Sequence, residues 1–227
     1  MGDPGTWVVL ALVGGLVGID ATSLGQVMVS RPLVAATLGG WIFGRPEEGL
    51  LLGVALELFE LCIVPIGAVR TPEGGTGALA AGAAYAAAGP ATFAVVPFAL
   101  ALTFGLVVER AAGETVAVLR RMNGGLVGEG ALARLTTARE LARRHVAAIA
   151  LDFARGAAVS VVAGIAGAVL LSALPQLTPD VGRAAFAILA IVLPGMAGAG
   201  AAVLAGGARV SAFLVGLAVG AGLWFVL

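Results

Sequence analysis

The chain has 227 residues, 60% of them hydrophobic and only 11% charged, with a mean hydropathy of +1.06, whereas a soluble domain carries roughly a quarter charged residues. Its net charge is zero, which removes the electrostatic basis for binding nucleic acid, and its single cysteine, Cys62, leaves no internal disulfide and no metal cluster. The chain therefore reads as an integral membrane protein. Its apolar runs are separated and approach the ~20 residues that span a bilayer as helix, whereas a barrel would show short alternating strands. The fold class predicted is an all-α, polytopic helical bundle, and the 35 glycines suit close helix contacts in lipid. All 13 basic residues are Arg, a compositional bias rather than a chemical demand.

The first apolar run extends from Trp7 to about Ile19, with Trp7 as an interfacial anchor and Gly14, Gly15 and Gly18 as a smooth face. It has neither a basic leader nor an Ala-x-Ala cleavage pattern, so a retained first helix is expected. At Asp20 the run is expected to break into a polar connector, DATSLGQVMVSRP, and Arg31-Pro32 favours a helix restart. Leu33 to Phe43 follows. Eleven residues of helix reach only about 16 Å, too short to cross, so a re-entrant segment or half of a discontinuous helix is expected.

Leu50 to Gly67, LLLGVALELFELCIVPIG, looks like the stretch around which the chain is organised. It is apolar, yet carries Glu57 and Glu60. An ionisable side chain at bilayer depth costs about 2.5–3.5 kcal/mol on insertion scales and normally faces a cavity or a partner. Three positions apart, the two carboxylates should point the same way, and Pro65 should bend or end the helix beyond them. A polar turn, Val69 to Gly77, precedes Ala78 to Val108, which is long enough for one span and part of another, jointed at Gly89-Pro90 and Pro97.

Glu109 to Arg155 is the charged region, with eight of the 13 Arg. Asn123-Gly124-Gly125 and Gly128-Glu129-Gly130 read as a hinge within it. From Leu132 to Phe153 apolar residues recur at helical spacing with Arg134, Arg139, Arg143 and Arg144 on other faces, which predicts an amphipathic helix at a membrane surface or a partner. The positive-inside rule makes this segment cytoplasmic. Gly156–Leu174, Ala184–Gly206 and Val210–Leu227 are three further apolar stretches, the second broken at Leu193-Pro194-Gly195. Three parts follow: a membrane half over 1–108, an Arg-rich segment over 109–155 and a membrane half over 156–227. Two halves that each hold a broken helix suggest an inverted repeat.

The run SRPLVAATLGGWIFGRPEEGLLLGVALELFELCIVPIG resembles the IIC membrane subunit of the mannose/fructose/sorbose family of sugar phosphotransferase systems. Arg31-Pro32-Leu33, Gly44, Gly49, Gly53, Leu56-Glu57 and Ile66-Gly67 carry the resemblance, with Thr71-Pro72-Glu73 where the family often has a proline followed by an acid. Gly25 stands where the family's connector often has an acid, Ser30 where it has a histidine, and Pro65 where it has an asparagine; Glu60 is an additional acid. The resemblance implies a sugar permease of the bacterial inner membrane that works with a IID membrane subunit, moves a hexose or amino sugar, and hands it to cytoplasmic IIA and IIB phosphocarriers. A higher oligomer is compatible with it. The chain itself would be no enzyme, with no catalytic residue, metal or cofactor.

Glu57 is the first candidate for the sugar, since a carboxylate can accept two charge-assisted hydroxyl hydrogen bonds; the alternative is a structural acid at a helix break. Glu60 would either share that site, where repulsion lets the pair hold a proton, or sit idle near an interface. Gln26, Thr22 and Ser23 could bond a sugar or only the connector backbone. Arg31 is expected to pin the connector through backbone carbonyls or Asp20, and Arg31, Pro32, Pro65, Gly67 and Pro194 are read as structural or gating positions. His145, in the basic helix without a nucleophile motif, is not read as a phosphorylation site, and Gly74-Gly75-Thr76-Gly77 is no phosphate loop. Two rival readings are a proton-coupled secondary carrier built on Glu57 and Glu60, and a non-transporting scaffold or sensor.

Overall fold

The computed structural model describes residues 2–62, 72–89, 95–127, 137–173, 189, 192–202 and 209–226. Among them are eight helical stretches and no strand: α1 (Pro4–Thr22), α2 (Pro32–Ile42), α3 (Pro46–Glu60), α4 (Gly74–Ala88), α5 (Val95–Val127), α6 (Ala138–Ala173), α7 (Val192–Ala202) and α8 (Arg209–Val226). Of these, α1, α5 and α6 are long and apolar enough to cross a membrane. This is the all-α, multi-pass architecture that the hydropathy predicts.

Proline opens α1, α2 and α3, at the first helical position where its missing N–H costs nothing. Asp3 caps α1 through the Thr6 N–H (2.7 Å) and hydroxyl (2.9 Å), and these bonds hold its carboxyl below the usual range. α1 continues past Asp20 to Thr22, so Asp20 does not break the helix.

The two short helices form an antiparallel hairpin. It turns over Phe43–Arg45, with Gly44 at φ +77°, and Phe43 meets Trp7 edge-on at 4.8 Å. Gly40 and Gly49 let the two backbones touch: a Cβ on Gly40 would lie 2.9 Å from the Gly49 Cα.

The hairpin packs on α4, and α4 is the true centre of the fold. Every residue from Gly74 to Ala86 is buried. The helix is almost wholly Gly and Ala, without a polar stripe, as a helix enclosed on all sides should be. Its small residues admit neighbours at backbone distance. A Cβ on Gly82 would meet the Ala36 carbonyl of α2 at 2.3 Å, and one on Gly77 would meet Glu109 of α5. The Leu50–Gly67 stretch does not hold this place: α3 ends at Glu60 and exposes Leu50, Leu51 and Val54. Ala78–Val108 resolves into the body of α4 and the start of α5, with Gly89 at φ +62° as a left-handed cap.

α5 and α6 have 33 and 36 residues, or about 50 and 54 Å, against a hydrocarbon core of ~30 Å. Within the Arg-rich 109–155 segment, residues 109–127 belong to α5 and 138–155 to α6, and positions 108 and 155 fall inside these helices. Asn123–Gly125 are helical rather than a hinge, since α5 runs on to Val127. Gly128–Gly130, Leu132, Pro65 and Gly67 lie outside the described residues. α6 lies along α1, with Gly14 and Gly18 against Ser160 and Gly156. Leu193, Pro194 and Gly195, expected to break the chain, lie within the helical residues 192–202, and α8 approaches so closely that a Cβ on Gly216 would meet the Pro194 carbonyl at 2.1 Å.

Candidate functional site

The polar residues that the chain places between apolar runs gather where α1, α3, α4, α5 and α6 meet. The connector, Ser23 to Arg31, is folded by Asp20, whose carboxylate accepts the Val27 N–H at 2.6 Å and the Ser30 N–H at 2.9 Å. Three of its residues have positive φ: Gly25 (94°), Gln26 (51°) and Met28 (71°). Only glycine adopts that conformation without cost, so the buried Asp20 holds two residues in a backbone shape they disfavour. Gln26 is exposed by it.

Arg31 is not bound to Asp20. It reaches across to Glu57 and forms an ion pair with it, while the second Glu57 oxygen accepts the Leu33 N–H at 3.2 Å. Arg31, the cap residue of α2, offers that helix no side-chain acceptor, so Glu57 supplies it from α3. Glu57 thereby ties the open end of the hairpin together.

A second network is centred on Arg155. Its guanidinium grips Glu73 through two bonds (2.5 and 2.9 Å), Asp152 at 2.9 Å and the Thr115 hydroxyl at 3.2 Å. The other Asp152 oxygen accepts from Thr22 and Ser23 at the end of α1. Asp152 is fully buried and Glu73 is 6% exposed, so Glu73 is compensated by the bidentate geometry that guanidinium suits and Asp152 by the single bond from Nε. One arginine thus clasps α1, α4, α5 and α6.

Between the two networks lies a cavity of about 230 Å³. Thr22, Ser30, Arg31, Glu60 and Glu73 give it polar walls, Gly74 and Gly75 its floor, and Gly113, Val116, Ala117 and Arg120 of α5 its far side. Glu60 lies against Gly74, leaving no room there for a side chain. Glu109 is 2% exposed, its carbonyl accepts the Glu73 N–H at 2.9 Å, and its Oε1 has no hydrogen-bond partner among the described residues.

Of the five residues read as contacting substrate, Thr22 and Glu60 line the cavity, Ser23 is bound to Asp152, Glu57 is bound to Arg31 at the cavity wall, and Gln26 is exposed and does not line it. Glu57 and Glu60 are therefore in different surroundings. Asp152, Arg155 and Glu109 were hidden by the charged composition of 109–155, which reads as a solvated surface. The signal that finds them is an Asp/Arg pair three residues apart, or a lone Glu, followed or preceded by an uninterrupted apolar helix.

Fold and site together define a multi-pass helical membrane protein with a small polar cavity enclosed by ion-paired helix ends. The family whose pattern matches is described as the PTS system sorbose-specific IIC component, and the match runs over residues 5–219. The chain belongs to that family. Among curated proteins, 66 residues are 33% identical to the sorbose-specific EIIC component of the phosphotransferase system of Lacticaseibacillus casei, and 66 are 35% identical to the fructose permease IIC component of Bacillus subtilis (strain 168). Each alignment takes in 29% of this chain and 24% of the relative. A solved structure described as that of a membrane protein superposes with a TM-score of 0.73 at 17% identity, over 91% of this chain and 80% of the other. That likeness supports the fold.

Proposed function

We propose that the chain is the sugar-translocating IIC subunit of a phosphoenolpyruvate-dependent, mannose-family phosphotransferase system in a bacterial inner membrane, acting with a IID subunit and cytoplasmic IIA and IIB phosphocarriers. The observation that carries this reading, beside family membership, is the cavity. Its volume suits one hexose ring, and hydroxyl, guanidinium and carboxylate groups converge on it from α1, the connector, α3, the cap of α4 and α5. Such a set can bond several sugar hydroxyls at once, the carboxylate and guanidinium most strongly.

Glu60 is the carboxylate we assign to the sugar, with Thr22, Ser30 and Arg31. Glu57 serves by fixing Arg31 at the cavity wall. The far side of the cavity is formed by the part of α5 that leads to Arg120 and the Arg-rich helix ends, the cytoplasmic side by charge. A sugar released from this cavity would meet the phosphorylating subunits directly, and the chain needs no covalent chemistry of its own.

The test is hexose uptake in cells deleted for their own hexose phosphotransferases, expressing this chain with IID and IIB partners. Phosphorylated sugar is expected only with all subunits present, and Glu60→Gln should cut it roughly tenfold or more, the loss that one hydrogen bond to a charged group implies. Uptake that survives without IID but collapses with the proton gradient would replace this reading with a proton-coupled carrier. A stable complex that takes up no hexose would leave a scaffold.

A further inference from the structure

We propose that Glu60 and Glu109 together bind one monovalent cation, a proton or an alkali-metal ion, over the first turn of α4. Gly74 and Gly77 lie one turn apart on that helix. The Glu60 carboxylate covers the first and the Glu109 side chain the second, each so closely that a Cβ on either glycine would collide with it. Glu60 of α3, through its carboxylate, and Glu109 of α5, through its Cγ and backbone, thereby both pack on the first turn of α4. Nearly all of Glu109 is buried, and its Oε1 has no hydrogen bond among the described residues.

The neighbouring charges are already committed. On α3, Glu57 is bound to Arg31; at the cap of α4, Glu73 is bound to Arg155, which also holds Asp152 of α6. Arg31 lines the same cavity as Glu60, and Arg120, further along α5, is exposed. None of these cations forms an ion pair or hydrogen bond with Glu109 among the described residues. Two carboxylates held over the same helix turn in a low-dielectric interior, one with an oxygen that has no hydrogen bond among the described residues, repel each other. A single positive charge shared by the pair removes that repulsion and supplies the partner that Glu109 Oε1 lacks. A proton needs only the two carboxyl groups; an alkali-metal ion would recruit additional oxygens from the cavity.

The purified full-length chain tests this without any uptake assay, so the result stands or falls apart from the transport reading. Infrared spectra at neutral pH should contain the carbonyl stretch of a protonated carboxyl group, shifted in deuterium oxide, which disappears in Glu109→Gln and persists in Glu57→Gln. If the ion is an alkali metal, that band is absent and radioactive sodium or rubidium binds at one per chain, falling to none in Glu109→Gln. Gel filtration and circular dichroism establish that the variant is folded; should Glu109→Gln fail to fold, Glu60→Gln takes its place. A folded wild-type chain with neither the band nor bound alkali ion overturns the proposal, and so does a band that survives in both variants.

Discussion

At the scale of the residue, the site depends on how each intramembrane charge is compensated. Arg155 carries the largest share, since it alone satisfies Glu73 and half of Asp152. Removing one partner of a buried ion pair costs about 3–5 kcal/mol, because the other charge stays buried and unmatched. Arg155→Met, which keeps the length of the side chain, is expected to destabilise the protein by that order. Thermal unfolding in detergent measures it, and an unchanged midpoint would show that the network is dispensable. The two glutamates of α3 teach a related point. Residues three apart on a helix are rotated by only about 60°, so the sequence places Glu57 and Glu60 on one side. That small angle is enough for Glu57 to reach Arg31 and the Leu33 N–H while Glu60 settles on Gly74. Which acid meets the cavity was not legible, because it depends on partners 26 residues away on one side and on the next helix on the other.

Among the elements, α4 decides how close everything else can come. Its Gly82 touches the Ala36 carbonyl, and Gly39 of α2 in turn lies against the Leu79 carbonyl of α4. The contact is backbone to backbone, so neither side can yield by changing a rotamer. Gly82→Val should therefore push α2 and α3 away from α4. Overpacking costs typically 1–3 kcal/mol, and the cavity, whose walls belong to both bodies, should lose affinity as well. Sugar binding measured beside thermal stability checks this: a variant with wild-type values for both would mean that the interface is looser than the contacts require. The short length of α2 was readable from eleven apolar residues between two polar turns. The central position of α4 was not, since a Gly/Ala run carries no periodic signal to say which faces are covered.

For the molecule as a whole, the governing feature is that α5 and α6 are some 20 Å longer than a bilayer core is thick. Their surplus is the Arg-rich part, in which Arg139, Arg143 and His145 are exposed. That arrangement predicts a topology. In a Cys62→Ala background, Arg143→Cys should react with a membrane-impermeant maleimide in inverted vesicles and not in intact cells. Labelling from the outside would reverse the orientation and put the mouth of the cavity on the wrong side for phosphorylating subunits.

The sequence alone determined the solvent, the helical class, the family and the shortness of α2, because these follow from hydropathy, helix length and a local run of spaced residues. Each is a property of neighbours along the chain. Tertiary structure alone decided that Glu60 and not Glu57 lines the cavity, that Asp152, Arg155 and Glu109 are interior rather than surface charges, and that a Gly/Ala helix is the centre. For Asp152 and Arg155 the reason is that a charge in a low-dielectric interior needs a partner within hydrogen-bonding distance, and those partners lie 40 to 130 residues away along the chain, a pairing that no local pattern encodes.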